Sequence, residues 1–245
     1  MDYTYFIDSE GKLIRTRIEQ DYNPEDPRYD RDGNIGHMMC WYPHYNLGDY
    51  EENHYDNPHD FLFWQLGEEK YENATIPQML NALERKGYYF IPLAVYEHSG
   101  ITMWCGSRWS HFDAQWDCSD VGWIYTTKEE VLKSGYRIKG KRGYLKTTAK
   151  NWRKVAQEML KEEVKTYDQY LTGQVYGFIS EVWDGEDWID EESCWGFYSD
   201  KWGDELAEEI IRDFYVSPKF INEEEAEEKQ REDAIMMQIE TMVCI

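Results

Sequence analysis

The feature that most constrains the fold is an unbroken apolar run in the middle of the chain, Tyr88–Tyr96. A strand that is apolar at successive positions must be covered on both faces, because neither set of its side chains favours water. Two further apolar segments of strand length, Ile101–Trp104 and Val121–Tyr125, are predicted to pair with it. We therefore expect a central strand inside a sheet that is covered on both sides.

Hairpins are predicted towards both ends of the chain. Tyr3–Ile7 and Lys12–Glu19 flank a turn that contains Gly11. Gln174–Trp183 and Ser193–Tyr198 lie on either side of an Asp184-Gly185 turn. Short strand patterns joined by glycine-containing turns are typical of antiparallel pairing. A further short strand is predicted at 37–42.

Helices are indicated by apolar residues at helical spacing and by end signals. Gly87 follows one predicted helix, and Thr127 with Glu130 forms a capping box at the start of another. The predicted helices are Pro58–Leu66, Ile76–Lys86, a short helix from Thr127 to Gly135, Thr148–Leu171, Glu205–Tyr215 and a helix or tail at 223–245. Hairpins with interspersed helices predict an α+β fold with a mixed or antiparallel sheet and packed helices.

The domain organisation is predicted to be simple. Residues 1–215 form a single α+β domain in this interpretation, and residues 216–245 form an appended acidic, Met-rich C-terminal helix or tail. The Gly/Lys-rich stretch 135–146 is the strongest candidate for a linker. The last segment can bind a partner, pack on the core or form the seam of a homodimer. Its apolar residues are Ile235, Met236, Met237, Ile239, Met242, Val243 and Ile245.

Charge excludes several classes of function. The chain has 49 acidic and 26 basic residues, a net charge of −23. This balance argues against direct binding of nucleic acid or of an anionic membrane, since both need basic surface. Residues 128–165 carry a net +7, between acidic segments of −13 and −17. With 16% aromatic residues the chain is a folded acidic protein, and the charge favours a basic partner.

The sequence also predicts where the chain acts. The N-terminal residues lack the basic and apolar regions of a secretory signal, and no 18-residue apolar stretch is present. The five cysteines are odd in number and include no Cys-x-x-Cys pair, which favours free thiols in a reducing compartment. We expect a cytoplasmic protein without a membrane span.

Five segments carry a family resemblance when taken in order. They are Tyr45–Asp49 (YNLGD), His98–Met103 (HSGITM), Trp116–Tyr125 (WDC and VGWIY), Tyr167–Phe178 (YDQYLTG and VYGF) and Ser193–Tyr198 (SCWGFY). This set resembles a family of proteins carried by bacteriophages, plasmids and conjugative elements. The resemblance implies an origin on a mobile genetic element and action in the cytoplasm of a bacterial host, and it implies no mechanism.

Acidic proteins of mobile elements are often inhibitors of host defence nucleases, and some are DNA mimics. By this analogy we predict an anti-CRISPR or anti-restriction type of inhibitor that binds the basic groove of a host defence or nucleic-acid-processing protein. The same acidic runs would also serve as a solvated face that confers solubility. The predicted partner-binding residues are Asp184, Glu186, Asp187, Asp190, Glu191, Glu192, Glu223, Glu224, Glu225, Glu227 and Glu228.

Mimicry of DNA sets a demand on charge density. Spread evenly, the net charge gives one charge per about 500 Å² of folded surface. Duplex DNA has about one per 100 Å². The acidic segments must therefore be gathered on one part of the surface, away from residues 128–165.

An enzyme or a nucleotide-signal-binding protein is the alternative, although no catalytic signature is recognised. His98 with Asp113, Asp117 or Asp120 would make an acid–base pair, with Ser99 or Cys118 as nucleophile. A turn in which a histidine bonds an aspartate explains the same residues. No cofactor is expected, because the basic loop 139–143 lacks the phosphate-loop motif.

Two further features have competing interpretations. Histidines and a cysteine between His37 and His59 match no standard zinc spacing, so no metal site is expected. Asp168 lies near the predicted end of the longest helix, where the helix dipole disfavours a carboxylate. It is expected either to bond back to the sheet or to belong to a site.

Overall fold

The structure of the chain is a computed structural model that describes residues 2–29, 33–50, 53–111, 115–140 and 143–243. Its strands are β1 (Thr4–Ile7), β2 (Leu13–Gln20), β3 (His37–Cys40), β4 (Tyr88–Glu97), β5 (Ile101–Cys105), β6 (Cys118–Thr127), β7 (Arg137–Gly140), β8 (Gly143–Lys146), β9 (Val175–Trp183), β10 (Trp188–Tyr198) and β11 (Lys219–Ile221). Its helices are α1 (Pro58–Leu66), α2 (Ile76–Arg85), α3 (Lys128–Lys133), α4 (Trp152–Leu171), α5 (Asp204–Phe214) and α6 (Glu223–Val243). None of the helices in the described residues is long and apolar enough to cross a membrane.

The chain divides into two compact units. Unit 1 consists of residues 1–25 and 173–245, and unit 2 consists of residues 26–172. In the described residues all strand pairs are antiparallel and helices are interspersed, so the α+β prediction is confirmed, including the C-terminal helix. The predicted division into domains at residue 215 is not the division into these two units, and it stays a prediction.

The sheet of unit 2 is built around the apolar run. Its strand order is β3-β6-β4-β5, so β4 lies between the two partners predicted for it. On one face, α4 packs against β5, β6 and β4, with Leu160 and Val164 in the core. On the other face, α1 and α2 supply Phe61 and Leu83. Both faces are covered, as the apolar run requires.

Neighbouring residues of the strands divide between these two cores. Met38 belongs to the core under α4 and Met39 to the core under α1 and α2. Ile124 and Tyr125 divide in the same way on β6. This alternation follows from the period of two along a strand.

Gly122 allows β3 to approach β6. Its φ is +153°, and a Cβ atom added there would lie 2.0 Å from the carbonyl oxygen of Met39. Only glycine fits such a contact, so the residue is required by backbone geometry. The stretch 135–146, the predicted linker candidate, forms the hairpin of β7 and β8 in its described residues.

The sheet of unit 1 has the order β10-β9-β2-β1-β11. One face packs on α5, with Phe6 and Ile14 against Ala207 and Ile211. On the opposite face, the Arg15 guanidinium lies 4.2 Å and 4.3 Å from the ring centroids of Tyr3 and Trp188. The two predicted hairpins therefore lie in one sheet, joined by the pairing of β2 with β9.

The chain leaves unit 1 and returns to it at adjoining positions. The Gln20 side-chain amide donates to the carbonyl of Gly173 at 3.0 Å. The backbone N–H of Asp21 donates to the carbonyl of Val175 at 2.8 Å. Unit 2 is therefore an insertion between two neighbouring points of unit 1.

Candidate functional site

Charge is distributed very unevenly between the two units. Unit 1 has 27 acidic and 8 basic residues, a net charge of −19. Unit 2 has 22 acidic and 18 basic residues, a net charge of −4. The basic segment 128–165 belongs to unit 2, and every predicted partner-binding residue belongs to unit 1. The two densest acidic runs, 184–192 and 223–228, thus lie in one unit of 98 residues, whereas residues 26–127 of unit 2 carry a net −10.

The turn between β9 and β10 is held by one of its carboxylates. Asp184 Oδ1 accepts the N–H groups of Asp187 at 2.8 Å and of Glu186 at 2.9 Å. These two backbone donors lower the pKa of Asp184, so it stays charged. Glu186 and Asp187 are exposed. Asp184 therefore orders a loop that presents two further carboxylates to solvent.

The same acidic run, 184–192, continues on an edge strand. Asp190, Glu191 and Glu192 are exposed on β10, which begins at Trp188 rather than at the predicted residue 193. A register shift between residues 190 and 192 makes Glu191 the extra residue of a bulge. Charges and bulges at an edge prevent pairing with other sheets. The same devices leave the three carboxylates accessible to a partner.

Carboxylates crowd one another around this edge. Asp190 is the cross-strand neighbour of Glu181, although Arg15 bonds the Glu181 carboxylate at 2.6 Å. Burial raises the pKa of Glu191, and the charges of Asp8 and Glu192 raise it further. Like charges placed this way weaken a sheet. The arrangement therefore costs stability.

The second acidic run forms the start of α6. Glu223, Glu224, Glu227 and Glu228 are exposed, and carboxylates are favoured at a helix N-terminus. Asn222 Oδ1 accepts from Glu225 N–H at 2.9 Å, and Glu225 Oε2 accepts from Asn222 N–H at 3.0 Å. This reciprocal cap was readable from the sequence as Asn-x-x-Glu. Part of the run therefore has a structural role.

The apolar end of α6 reaches the turn between β9 and β10, which carries the acidic residues Asp184, Glu186 and Asp187. A Cβ atom added at Gly185 would lie 2.6 Å from Met237 Sδ, which places the helix against the β9–β10 turn. Ile235, Met236, Met237 and Ile239 keep about half of their surface exposed, between 42% and 57%. Ile245 lies outside the described residues, as does the side chain of Met242. Self-association through this segment stays a prediction.

The residues of the predicted enzymatic site lie together at the β4–β5 turn. His98 Nδ1 is 3.4 Å from Asp117 Oδ2, and both side chains are exposed. Ser99 has a φ of +60° within the turn. Cys118 is 4% exposed, so its thiol is not accessible as a nucleophile. Asp120 instead accepts from the N–H of Arg108 at 2.7 Å. Asp113 lies outside the described residues.

Other candidate residues have structural partners. Asp168 accepts from Thr102 Oγ1 at 2.6 Å and from Met103 N–H at 2.7 Å, which confirms the predicted bond to the sheet. His37 Nε2 lies 2.8 Å from Glu130 Oε1. Among the described residues, no three His, Cys, Asp or Glu side chains form a group suited to a metal ion.

A buried charge cluster in unit 2 was not anticipated. Arg28 is 3% exposed, and its Nε and Nη2 atoms donate to the Asp49 carboxylate at 2.8 and 3.1 Å. Nη1 donates to Glu163 at 2.9 Å and Nη2 to the Gly36 carbonyl at 2.7 Å. Burial lowers the pKa of Arg28, but the hydrogen bonds and charges of Asp49 and Glu163 together raise it above its ordinary value. The guanidinium links the loop before β3 to α4, and no local sequence pattern predicts such a contact.

Comparison of the chain with protein-family models, curated proteins and solved structures finds no match. The resemblance to proteins of mobile elements therefore stays a prediction. The function has to be argued from the geometry and charge of the described residues.

Proposed function

We propose that this chain is a non-catalytic acidic inhibitor from a mobile genetic element that acts in the cytoplasm of a bacterial host. Unit 1 would bind the basic groove of a host defence or nucleic-acid-processing protein and compete there with nucleic acid. The observation that supports this most is the net charge of unit 1, which is −19 compared with −4 for unit 2. Charge gathered on one unit steers association with an oppositely charged surface.

The charge density limits how far the mimicry extends. A unit of this size exposes about 6,000 Å², which gives one net charge per about 300 Å². Duplex DNA has about one phosphate per 100 Å², so the unit as a whole is about threefold too dilute. We therefore assign the contact with the partner to β10 with its preceding turn and to the first turns of α6. There the carboxylates follow one another in sequence and are exposed.

Solubility alone does not account for this arrangement. A protein needs only a moderate, well-mixed surface charge to stay soluble. Here Asp190 neighbours Glu181, and Glu191 neighbours Glu192 and Asp8, at a cost in stability. Charges that weaken the fold are typical of sites kept for binding.

The test is capture of partners from a bacterial lysate on the tagged chain, eluted with a salt gradient and identified by mass spectrometry. We expect a DNA- or RNA-handling protein that salt releases and that duplex DNA displaces. The triple variant Asp190→Asn, Glu191→Gln, Glu192→Gln should weaken binding to the purified partner about tenfold or more. The matched control removes three exposed charges of unit 2, with Glu69→Gln, Glu72→Gln and Glu84→Gln.

Two outcomes would contradict the proposal. One is an affinity that stays flat between about 50 and 500 mM salt, where screening changes strongly. The other is an equal loss of binding in the two triple variants. His98→Ala should leave binding unchanged, because His98 lies in unit 2.

A further inference from the structure

Two adjoining cavities in unit 1 lie outside the acidic run 184–192 and touch the run 223–228 at Glu223 alone. The first, of about 480 Å³, is bounded by β1, β11 and the start of α5. The second, of about 520 Å³, is bounded by β1, β2 and the residues before α5. They share Asp2, Thr4 and Asp204, and Thr4 Oγ1 donates to Asp204 Oδ1 at 2.8 Å. We call the two together the acidic groove.

The charge of the acidic groove has one sign. Its carboxylates are Asp2, Glu19, Asp204, Glu208 and Glu223. No Lys, Arg or His is found among the described residues that line either cavity. Two of these carboxylates are paired with a cation, Glu19 with Arg17 Nε at 2.8 Å and Glu208 with Arg212 Nη2 at 2.7 Å. The groove therefore attracts cations and repels nucleic acid.

Aromatic side chains form much of the remaining wall. Tyr3, Tyr5 and Phe220 line the first cavity, and Tyr22 and Trp202 line the second. Trp202 is 56% exposed, with its ring centroid 5.0 Å from that of Tyr176, and Tyr22 is 89% exposed, so both rings present surface to solvent. Aromatic faces next to carboxylates match the chemistry of a guanidinium, which stacks on rings and bonds carboxylates through two N–H groups. The chain's own arginines already use such walls at the first cavity, with Arg15 over Tyr3 at 4.2 Å and Arg212 over Phe220 at 4.8 Å.

We infer that the acidic groove binds arginine side chains of a partner segment, one in each cavity. This inference rests on the proposed function, because it names the element of the basic partner that anchors the complex. Cavities of this size suit inserted groups, whereas a copy of the DNA backbone needs only a convex row of charges. A hydrated metal ion would gain little from the five aromatic rings, whereas an arginine side chain uses both kinds of wall.

The probe is a fluorescein-labelled peptide with two arginines separated by one residue in a Gly/Ser background. Its anisotropy is measured with the whole chain at about 0.15 M ionic strength. We expect saturable binding that weakens at least tenfold when both arginines are replaced by citrulline, which keeps the shape and loses the charge. A peptide with one arginine should bind distinctly more weakly than the peptide with two.

Variants locate the binding in the groove. Asp204→Asn removes one of the two charges shared by the cavities and keeps an acceptor for Thr4 Oγ1. We expect it to weaken the peptide about tenfold, and Trp202→Ala to weaken it several-fold. Asp213→Asn, on the same helix and outside both cavities, is the matched control and should bind the peptide like the original chain.

The outcomes separate this inference from the proposed function. Equal peptide affinities for Asp204→Asn and Asp213→Asn would overturn the inference, while salt-sensitive capture of a nucleic-acid-handling protein would still support the function. Peptide binding that depends on Asp204, without such capture, would support the groove and contradict the function. A citrulline peptide that binds as well as the arginine peptide, or spermidine that binds more tightly than both, would overturn the assignment to arginine.

Discussion

Replacement of Arg28 by methionine is the sharpest perturbation of the fold. The guanidinium donates four hydrogen bonds, two of them to Asp49 and one to Glu163. The side chains of these two acids are only 1% and 9% exposed. Without the guanidinium, the two carboxylates stay in the interior and lose these hydrogen bonds, while Met38 N–H still donates to Asp49 and the N–H groups of Ile35 and Gly36 to Glu163. Breaking a buried ion pair in this way costs about 3–5 kcal/mol, and we expect the lower part of that range because both carboxylates keep backbone donors.

Hydrogen exchange read by mass spectrometry measures the effect locally. Amides of β3 and α4 in Arg28→Met should exchange about 10²- to 10³-fold faster than in the original chain, following the same free energy. The double variant Arg28→Met, Asp49→Asn should recover part of the loss, because one buried charge is removed. Arg85→Met, at an exposed position of α2, is the control and should change exchange less than twofold. A change below 1 kcal/mol in Arg28→Met would refute the assigned role of the cluster.

Two further substitutions test the backbone and the acidic edge. Gly122→Ala should destabilise unit 2 by more than about 3 kcal/mol, because its Cβ atom would overlap the Met39 carbonyl, and urea unfolding followed by circular dichroism would show it. A midpoint within experimental error of the original chain would contradict this. Glu191→Gln should stabilise unit 1 by less than about 1 kcal/mol at pH 7, because the pKa of Glu191 is raised in the folded state and its ionisation therefore opposes folding. The gain should disappear below the ordinary pKa of 4.5, where both chains are uncharged at this position, and a gain that is the same at pH 4 and pH 7 would speak against a charge effect.

Local signals predicted the elements well where the neighbouring residues decide the structure. The helix Pro58–Leu66 has the predicted bounds, with the Asn57 side chain as its cap. The Thr127–Glu130 capping box opens α3 as predicted. The start of α4 was placed four residues too early, because Asn151 Oδ1 accepts from Thr148 N–H and holds a turn there. Competition between a side chain and the helix for backbone donors is hard to weigh from sequence.

The pairing of strands that are far apart in the chain could not be predicted from local sequence signals. The grouping into two units follows from the pairing of β2 with β9, which joins positions such as Thr16 and Ser180. β11 has only three residues, and only its pairing with β1 identifies it as a strand. The predicted acidic runs were found from composition, whereas the acidic groove combines residues from the two ends of the chain. No window of sequence contains both Asp2 and Asp204.

The insertion of unit 2 into unit 1 sets the order in which the protein can fold on the ribosome. The hairpin of β1 and β2 is made first, but its partners β9 and β11 follow only after the 147 residues of unit 2. At about 5–20 residues per second, that interval lasts about 7–30 s. During this time Phe6 and Ile14 have no α5 to cover them. The charges on Asp2, Asp8, Glu10 and Glu19 then protect the nascent hairpin from aggregation. These acidic residues therefore have a role during synthesis, before the folded protein binds a partner.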